Sequence, residues 1–152
     1  MKLATGNSNE TAIEKLEIHL PFGLVGLAGL KKFKVMPIEG SSPFMVMRAN
    51  NEDRFDFIVI EPCGVVPNYA LELTDNDAEE LQISGADDAI VLNIITVHSM
   101  EPQYVTVNLV GPVVINRRTL IGKQVIAANA DLYSTQAVLI DERAGTVGGA
   151  SC

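Results

Sequence analysis

The sequence predicts a mostly β protein, with a small antiparallel β-barrel-like fold and one or two short helices. About eight or nine short segments are rich in Val, Ile, Leu and Thr, and turn residues separate them at short intervals. One segment carries a clear helix start signal. Strands do not alternate with long amphipathic helices, which argues against a doubly wound parallel sheet.

The chain is predicted to form one domain. Its 152 residues are close to the usual length of a single domain. Residues 1–12 are polar and residues 141–152 end in small side chains, so both ends are expected to be flexible. The folded part is therefore predicted to span residues 13–140.

The first predicted strands are residues 15–20, 33–38 and 44–49. In residues 15–20, apolar and polar side chains alternate, which is typical of a strand with one buried face. The next two segments flank the turn-rich link EGSSP, and this arrangement predicts a hairpin.

Three glycines, Gly23, Gly26 and Gly29, stand between the first two predicted strands. Glycines this close predict a turn, followed by a short helical turn over Leu27–Phe33. Their spacing matches neither G-x-x-x-x-G-K-[ST] nor G-x-G-x-x-G, so no phosphate-binding loop is predicted.

The middle of the chain predicts two strands and the helix. Residues 54–62 contain a continuous apolar run, typical of a central strand buried on both faces, and residues 68–73 predict a short strand. Thr74, with Asp77 three residues later, is a helix N-cap signature, and the acidic first turn suits the helix dipole. These signals place a short helix at about residues 75–82.

The last third predicts the best-defined strands. Residues 89–99 are rich in Ile, Val and Thr. Residues 104–118 form a second long run, but Gly111 and Pro112 interrupt it and predict a bulge or a bend onto a second sheet. Residues 123–128 are expected to pair back, and residues 136–140 to complete the sheet.

The residue types that carry catalysis or bind metals are sparse. His19, His98, Cys63 and Cys152 do not stand at zinc-ligand spacing. Ser99 follows His98, but neighbouring strand residues point to opposite faces, so a hydrolytic triad is not predicted. We predict a protein that is not an enzyme and needs no cofactor and no metal.

Charge and hydropathy limit the possible partners. The formal net charge is −8, which argues against direct binding of nucleic acid. It suits the encounter with a basic protein, and solubility alone is the other explanation of this charge. The N-terminus lacks the apolar run of a signal peptide, and no apolar run reaches the length of a membrane span. With only two cysteines, the simplest expectation is a cytoplasmic protein that does not bind a membrane.

Over residues 15–136, the chain resembles the flagellar assembly factor FliW family. The most specific match is NLVGPVVIN at residues 108–116, followed by GKQVI at 122–126. Weaker matches fall in the same order as in the family: FGLVGLAGLKKF at 22–33, IEPCGVVPNYALELTDNDAEEL at 60–81, LNIITV at 92–97 and YST at 133–135. The chain departs from the family pattern at Val25, Leu27, Glu61, Cys63, Asn68 and Gln136.

The resemblance implies a protein that binds flagellin and CsrA, an RNA-binding repressor of flagellin translation. It implies a partner switch, in which flagellin occupies the protein until export frees it to bind CsrA and relieve repression. Apolar and aromatic residues flanked by acids suit a protein contact surface. The predicted partner-binding residues are Glu61, Pro62, Val66, Pro67 and Tyr69, with Phe22 and Leu24 as a second choice.

The motif residues are predicted to be mainly structural. They are Asn108, Leu109, Pro112, Asn116, Gly122 and Lys123. Asparagine side chains can cap backbone groups where a strand bends. Two alternatives remain: a chaperone that binds flagellin only, and a small β-barrel enzyme whose site has no recognisable motif.

Overall fold

The structure is a computed structural model, and it describes residues 1–4, 14–50 and 55–143. Short strands dominate these residues, as predicted. The strands are β1 Lys2–Ala4, β2 Leu16–His19, β3 Lys32–Pro37, β4 Met45–Ala49, β5 Asp56–Ile60, β6 Ala70–Glu72, β7 Ala89–Met100, β8 Gln103–Val107, β9 Val113–Asn116, β10 Gly122–Gln124 and β11 Ala137–Asp141. The helical elements are α1 Asp75–Glu80 and two single 3-10 turns, Ala86–Asp88 and Ala130–Leu132.

The strand pairs of the main sheet are all antiparallel, whereas the isolated bridge that draws its two ends together is parallel. Its strand order is β10-β9-β7-β5-β4-β3-β2, with β8 and β11 branching from β7. One bridge between His19 and Ile121 brings the two ends of this path together, with a hydrogen bond from His19 N to Leu120 O of 3.0 Å. The predicted antiparallel class is confirmed, but in the described residues the strands do not pair into a closed barrel.

Two apolar cores lie on opposite faces of the central strands. The first is enclosed by the curled sheet and includes Leu20, Phe33, Val35, Met47, Val59, Leu92 and Ile115. The second lies beneath β1, β6, α1, β8 and β11 and includes Leu3, Ile60, Leu71, Leu73, Val91, Val105 and Val114. Strand β7 feeds both cores, since Ile90 and Leu92 enter the first while Ala89 and Val91 enter the second. This double burial explains its continuous apolar sequence.

The predicted bend at Gly111–Pro112 is confirmed. Before it, β8 pairs with β11 and with the second half of β7. After it, β9 pairs with β10 and with the first half of β7, Ala89–Leu92. Because proline donates no ladder hydrogen bond, the pairing of β8 ends before Pro112 and the pairing of β9 begins after it.

The helical turn predicted at Leu27–Phe33 is wrong. Residues 20–30 instead form successive tight turns, with hydrogen bonds from Gly23 N to Leu20 O (2.9 Å) and from Leu27 N to Leu24 O (2.8 Å). Gly23 has a φ of +67°, and a Cβ there would lie 2.6 Å from the Ala28 Cα. This left-handed backbone favours glycine and forms the turn that the glycines predict. The helical turn is absent because residues 27–30 continue in tight turns and β3 already begins at Lys32.

The predicted helix is confirmed with a shorter C-terminal end, at Glu80. The Thr74 hydroxyl accepts a hydrogen bond of 3.1 Å from Asp77 N, as the N-cap signature predicts. Ala78 in the helix and Leu81, the C-cap residue after its end, pack into the second core.

The ends of the chain are described only in part. Lys2–Ala4 forms β1 and pairs with β6, so part of the N-terminal segment predicted to be flexible is a strand. The rest of that segment, residues 5–12, lies outside the described residues. In the predicted C-terminal tail, Asp141 ends β11, and residues 144–152 also lie outside the described residues.

Candidate functional site

The side chain of Asn108 caps the bend that follows β8. Its Oδ1 accepts hydrogen bonds from Val110 N (3.0 Å) and Gly111 N (2.9 Å). Its own backbone carbonyl accepts one from the Asn93 side chain, at 3.0 Å. These bonds satisfy backbone groups that the interrupted ladder leaves unpaired. Asn108 therefore fixes the geometry of the bend.

Asn116, at the end of β9, is fully buried and uses both ends of its amide. Its Oδ1 accepts from Arg118 N (2.8 Å) and Thr119 N (3.1 Å), which shapes the turn into β10. Its Nδ2 donates to Leu81 O (2.9 Å) and Gln82 O (3.1 Å) at the C-terminal end of α1. One side chain thus holds a turn and a helix end together.

The remaining motif residues also make contacts inside the fold. Leu109 and Pro112 are buried. A Cβ on Gly122 would lie 2.8 Å from both Ile115 Cγ1 and Val114 O, so this strand approaches β9 too closely for a side chain. In this structure the motif residues make internal contacts that hold the fold.

Lys123 pairs with the acidic helix α1. Its ammonium lies 2.8 Å from Asp77 Oδ1 and 3.1 Å from Glu80 Oε2. The hydrogen bond with Asp77 is the main reason why the pKa of Lys123 is raised above its ordinary value. This residue is half-buried and ties β10 to α1.

The loop at residues 61–69 leaves the end of β5 and turns back into β6. The Pro62 carbonyl accepts hydrogen bonds from Val65 N (3.0 Å) and Val66 N (2.9 Å). Asn68 has a φ of 59°, a left-handed conformation that asparagine tolerates better than most residues. Of the predicted contact residues here, Pro67 is exposed and Glu61 and Val66 are half-buried, whereas Pro62 is buried.

Tyr69 differs from the prediction, because it faces the interior and only 3% of its surface is exposed. Its phenol donates a 2.7 Å hydrogen bond to Leu109 O, and its ring packs edge-on against Tyr133 with centroids 4.8 Å apart. Burial raises the pKa of Tyr69 to about 12. It anchors the loop and offers no surface to a partner.

Two clefts flank the β3–β4 loop, residues 38–44. The residues of this loop were not among the predicted site residues. The first cleft has a volume of about 710 Å³ and brings Glu61 and Cys63 next to the loop. The second, of about 270 Å³, is mostly apolar. Its apolar lining residues are Ile38, Phe44, Ile58, Val97, Met100 and Val105. EGSSP signals a turn in the sequence, but nothing in it indicates that distant strands complete a cleft beside that turn.

Phe22 and Leu24, the second choice for partner contacts, differ in their exposure. Phe22 lies on a turn with 62% of its surface exposed, whereas Leu24 is buried in the first core. Phe22 is therefore available to a partner, whereas Leu24 packs in the core and holds the turn in place.

His98, the histidine considered for a hydrolytic triad, makes ordinary structural contacts. His98 Nε2 lies 2.8 Å from Thr106 Oγ1, and its ring stacks on Tyr104 with centroids 4.6 Å apart. Within residues 1–4, 14–50 and 55–143, no three His, Cys, Asp or Glu side chains lie together as a metal site would require. Over the same residues, no helix is both long and apolar enough to cross a membrane.

Comparison with known proteins gives one consistent family. The FliW protein family model matches residues 2–139. A flagellar assembly factor FliW from Geobacillus kaustophilus is 37% identical over 144 residues, covering 94% of this chain and 98% of the relative. One from Clostridium botulinum is 34% identical, covering 86% of this chain and 90% of the relative.

A solved structure is also similar. It is described as the crystal structure of the flagellar assembly factor FliW, and it matches with a TM-score of 0.74 at 32% sequence identity. The match covers 94% of this chain and 99% of that chain.

Proposed function

Since this chain belongs to the FliW family of flagellar assembly factors, we propose that it acts in the cytoplasm by binding CsrA and flagellin in alternation. It is proposed to work by binding, with no catalytic step. While flagellin occupies the protein, CsrA remains free and represses flagellin translation. When flagellin is exported, the protein binds CsrA and relieves that repression.

The switch requires that the two partners exclude each other. If both bind the same face, exclusion is steric. If they bind separate faces, binding of one must change the affinity for the other by a coupling free energy. We propose that the protein antagonises CsrA allosterically, by binding CsrA away from its RNA-binding surface.

The observation that carries the proposed contact surface is the pair of clefts beside the β3–β4 loop. Met100 is 71% exposed and Val97 is 38% exposed, and both line the apolar cleft. Glu61 lines the neighbouring cleft and adds a carboxylate near that apolar surface. An apolar centre with a polar rim is typical of a protein contact site.

The net charge supports the choice of CsrA as one partner. A protein of formal net charge −8 attracts a basic partner and raises the rate of encounter. This attraction weakens as salt rises, because exposed charges are screened over about 8–10 Å at physiological ionic strength. We therefore expect association with CsrA to be faster at low salt.

The test is size-exclusion chromatography of the purified protein with CsrA and flagellin from the same organism, separately and together. The switch predicts a complex with each partner and displacement of CsrA by flagellin. A complex with flagellin alone would leave a chaperone without the regulatory step. The absence of both complexes would contradict the proposal.

A pair of variants locates the surface. Val97→Ser combined with Met100→Ser removes two exposed apolar side chains from the cleft and should weaken binding of one partner about tenfold or more. Leu132→Ser is the matched control, since Leu132 is 69% exposed but does not line either cleft. If the double variant binds CsrA and flagellin as tightly as the control does, the contact surface lies elsewhere.

A further inference from the structure

The two clefts beside the β3–β4 loop are parts of one continuous surface. Ile38, Ser42 and Phe44 line both of them. The loop is held by its own backbone, because Ile38 N donates to Phe44 O (3.1 Å) and Phe44 N donates to Ser41 O (2.8 Å). A single partner segment can therefore cross the loop and enter both clefts without having to order it first.

The larger cleft is lined by two carboxylates. Glu39, which is exposed, and Glu61, which is half-buried, both line it, and no Lys or Arg is among the described residues that do so. We call it the acidic cleft. An arginine guanidinium pairs with carboxylates through parallel hydrogen bonds, and a lysine ammonium attracts them as a point charge. The acidic cleft is therefore suited to a cationic side chain.

Two further carboxylates border the apolar cleft. Glu101 is exposed at the tip of the hairpin between β7 and β8, and the flanking Met100 and Gln103 both line the cleft. Glu142 is also exposed, and its backbone N donates a 2.8 Å hydrogen bond to Gln103 O. The apolar cleft thus has acids on its rim, in addition to those of the neighbouring acidic cleft.

The cations on the surrounding strands do not cancel this charge, because each is paired with an acid. The pairs are Lys34–Glu17, Arg48–Asp56 and Arg143–Asp141, at 3.8, 2.9 and 2.9 Å. Glu39, Glu101 and Glu142 form no ion pair with another described residue, so they alone leave a net charge of about −3 around the clefts. Residues 51–54, between β4 and β5, lie outside the described residues and contain two acids and one arginine, which does not reverse the sign.

We propose that the two clefts bind one segment of a partner protein, with an apolar side chain in the apolar cleft and a Lys or Arg side chain in the acidic cleft. This inference rests on the proposed function, because it uses the same contact surface, and it adds the chemistry of the bound segment. A phosphate backbone or an anionic lipid surface is disfavoured here, since its charge repels the carboxylates. Each cleft alone fits many ligands, whereas the two together select a segment with both kinds of side chain.

The test is fluorescence anisotropy with the full chain and three labelled synthetic peptides. The first is a short peptide in which arginines and leucines are separated by serines. The second carries glutamate in place of each arginine, and the third carries serine in place of each leucine. The first should bind, and the other two should bind at least about tenfold more weakly, because each lacks one of the two features. Added salt should weaken binding of the first peptide by screening its charges.

A pair of charge variants locates the cationic contact. Glu39→Gln with Glu101→Gln removes two exposed carboxylates beside the clefts and should weaken binding about threefold. Asp75→Asn with Glu79→Gln is the matched control, since it makes the same change in net charge at exposed positions of α1 that line neither cleft. The control should leave the affinity unchanged.

A second pair of variants locates the apolar contact. Met100→Ser should weaken binding about fivefold, because Met100 is 71% exposed and lines the apolar cleft. Leu132→Ser is its control, since Leu132 is 69% exposed and lines neither cleft. The thermal midpoint of each variant checks that the fold is retained.

The inference is overturned if the arginine peptide does not bind, if the glutamate peptide binds as tightly, or if the folded cleft variants bind like their controls. Such a result alongside complexes with CsrA and flagellin would leave the proposed function standing. Binding of the peptide as expected, without a complex with either protein, would instead contradict the proposed function and support the chemistry of the clefts.

Discussion

The phenol of Tyr69 donates a 2.7 Å hydrogen bond to the backbone carbonyl of Leu109, deep in the second core. It joins the end of the 61–69 loop to the bend after β8. Asn93 adds a third element, since its Nδ2 donates to the Tyr69 oxygen at 3.3 Å and to Asn108 O at 3.0 Å. The loop beside the clefts is therefore positioned by the same residues that shape the family's most specific sequence motif.

Replacing Tyr69 with phenylalanine should destabilise the protein by about 1–3 kcal/mol, because the Leu109 carbonyl and the Asn93 amide would each lose a partner in the buried core. Urea unfolding measures the change. Tyr104→Phe is the matched control, since Tyr104 is only half-buried, and we expect a change within about 0.5 kcal/mol. Equal stability of the two variants would contradict the anchoring role.

The same tyrosine predicts a loss of stability at alkaline pH. Its pKa rises from 10.0 to about 12 on folding, mainly through burial, so folding favours the neutral phenol. This contribution to stability is fully present below pH 10 and is lost as pH rises towards 12. The loss of stability by pH 12 is about 2–3 kcal/mol. Absorbance at 295 nm should show the ionisation of Tyr69 as a late step near pH 12. Tyr69→Phe should remove that late step and flatten the decline between pH 10 and 12.

Asn116→Ala should be among the most damaging single changes in the chain. It removes the partner of two backbone N–H groups and two carbonyls at a fully buried position, and we expect a loss of about 3 kcal/mol or more. Asn76→Ala makes the same chemical change at an exposed helix position and should alter stability by less than about 0.5 kcal/mol. Thermal unfolding of both variants tests the difference. A similar midpoint for both would show that the Asn116 bonds add little.

Gly122→Ala tests the close approach of β10 to β9. The added Cβ would lie 2.8 Å from the Val114 carbonyl oxygen, which belongs to the backbone and cannot rotate away, so we expect a loss of about 1–3 kcal/mol. Gly29→Ala is the control, because a Cβ added there would have no other atom within 4 Å. Chemical denaturation should separate the two variants clearly, and a neutral Gly122→Ala would mean that the strands can move apart.

The sequence predicted the elements whose signals are local. Thr74 and Asp77 lie three residues apart and cap α1, and Gly111–Pro112 interrupts a run of strand residues at the point where the chain changes partners. Each of these signals acts within a few residues, so no knowledge of the fold is needed to interpret it. The turn predicted at Gly23 and Gly26 is present, but the helical turn predicted at Leu27–Phe33 is wrong, because glycine spacing shows where the chain turns and not what the residues after the turn will form.

The candidate site was less predictable, because it depends on contacts between distant residues. In the sequence, Tyr69 is an aromatic residue where an acid-flanked apolar loop meets a predicted strand, which is typical of a contact surface, and only its contact with Leu109 shows that it faces inward. The apolar cleft joins Phe44, Val97 and Val105, which come from separate strands and a loop. Side-chain alternation predicts which face of a strand is buried but not which loop will cover it.

The contacts of Lys123 predict how its removal affects stability. Lys123→Met would leave Asp77, which is 8% exposed, without the ammonium 2.8 Å away, and we expect a loss of about 1–2 kcal/mol. Asp77→Asn in the same background should recover part of this loss, because it removes the unpaired buried charge. Lys34→Met is the control, since Lys34 and Glu17 are 3.8 Å apart with side chains 36% and 71% exposed, and such surface pairs contribute about 0–1 kcal/mol. A double-mutant cycle by urea unfolding measures the coupling, and a coupling near zero would mean that Lys123 holds β10 to α1 through packing alone.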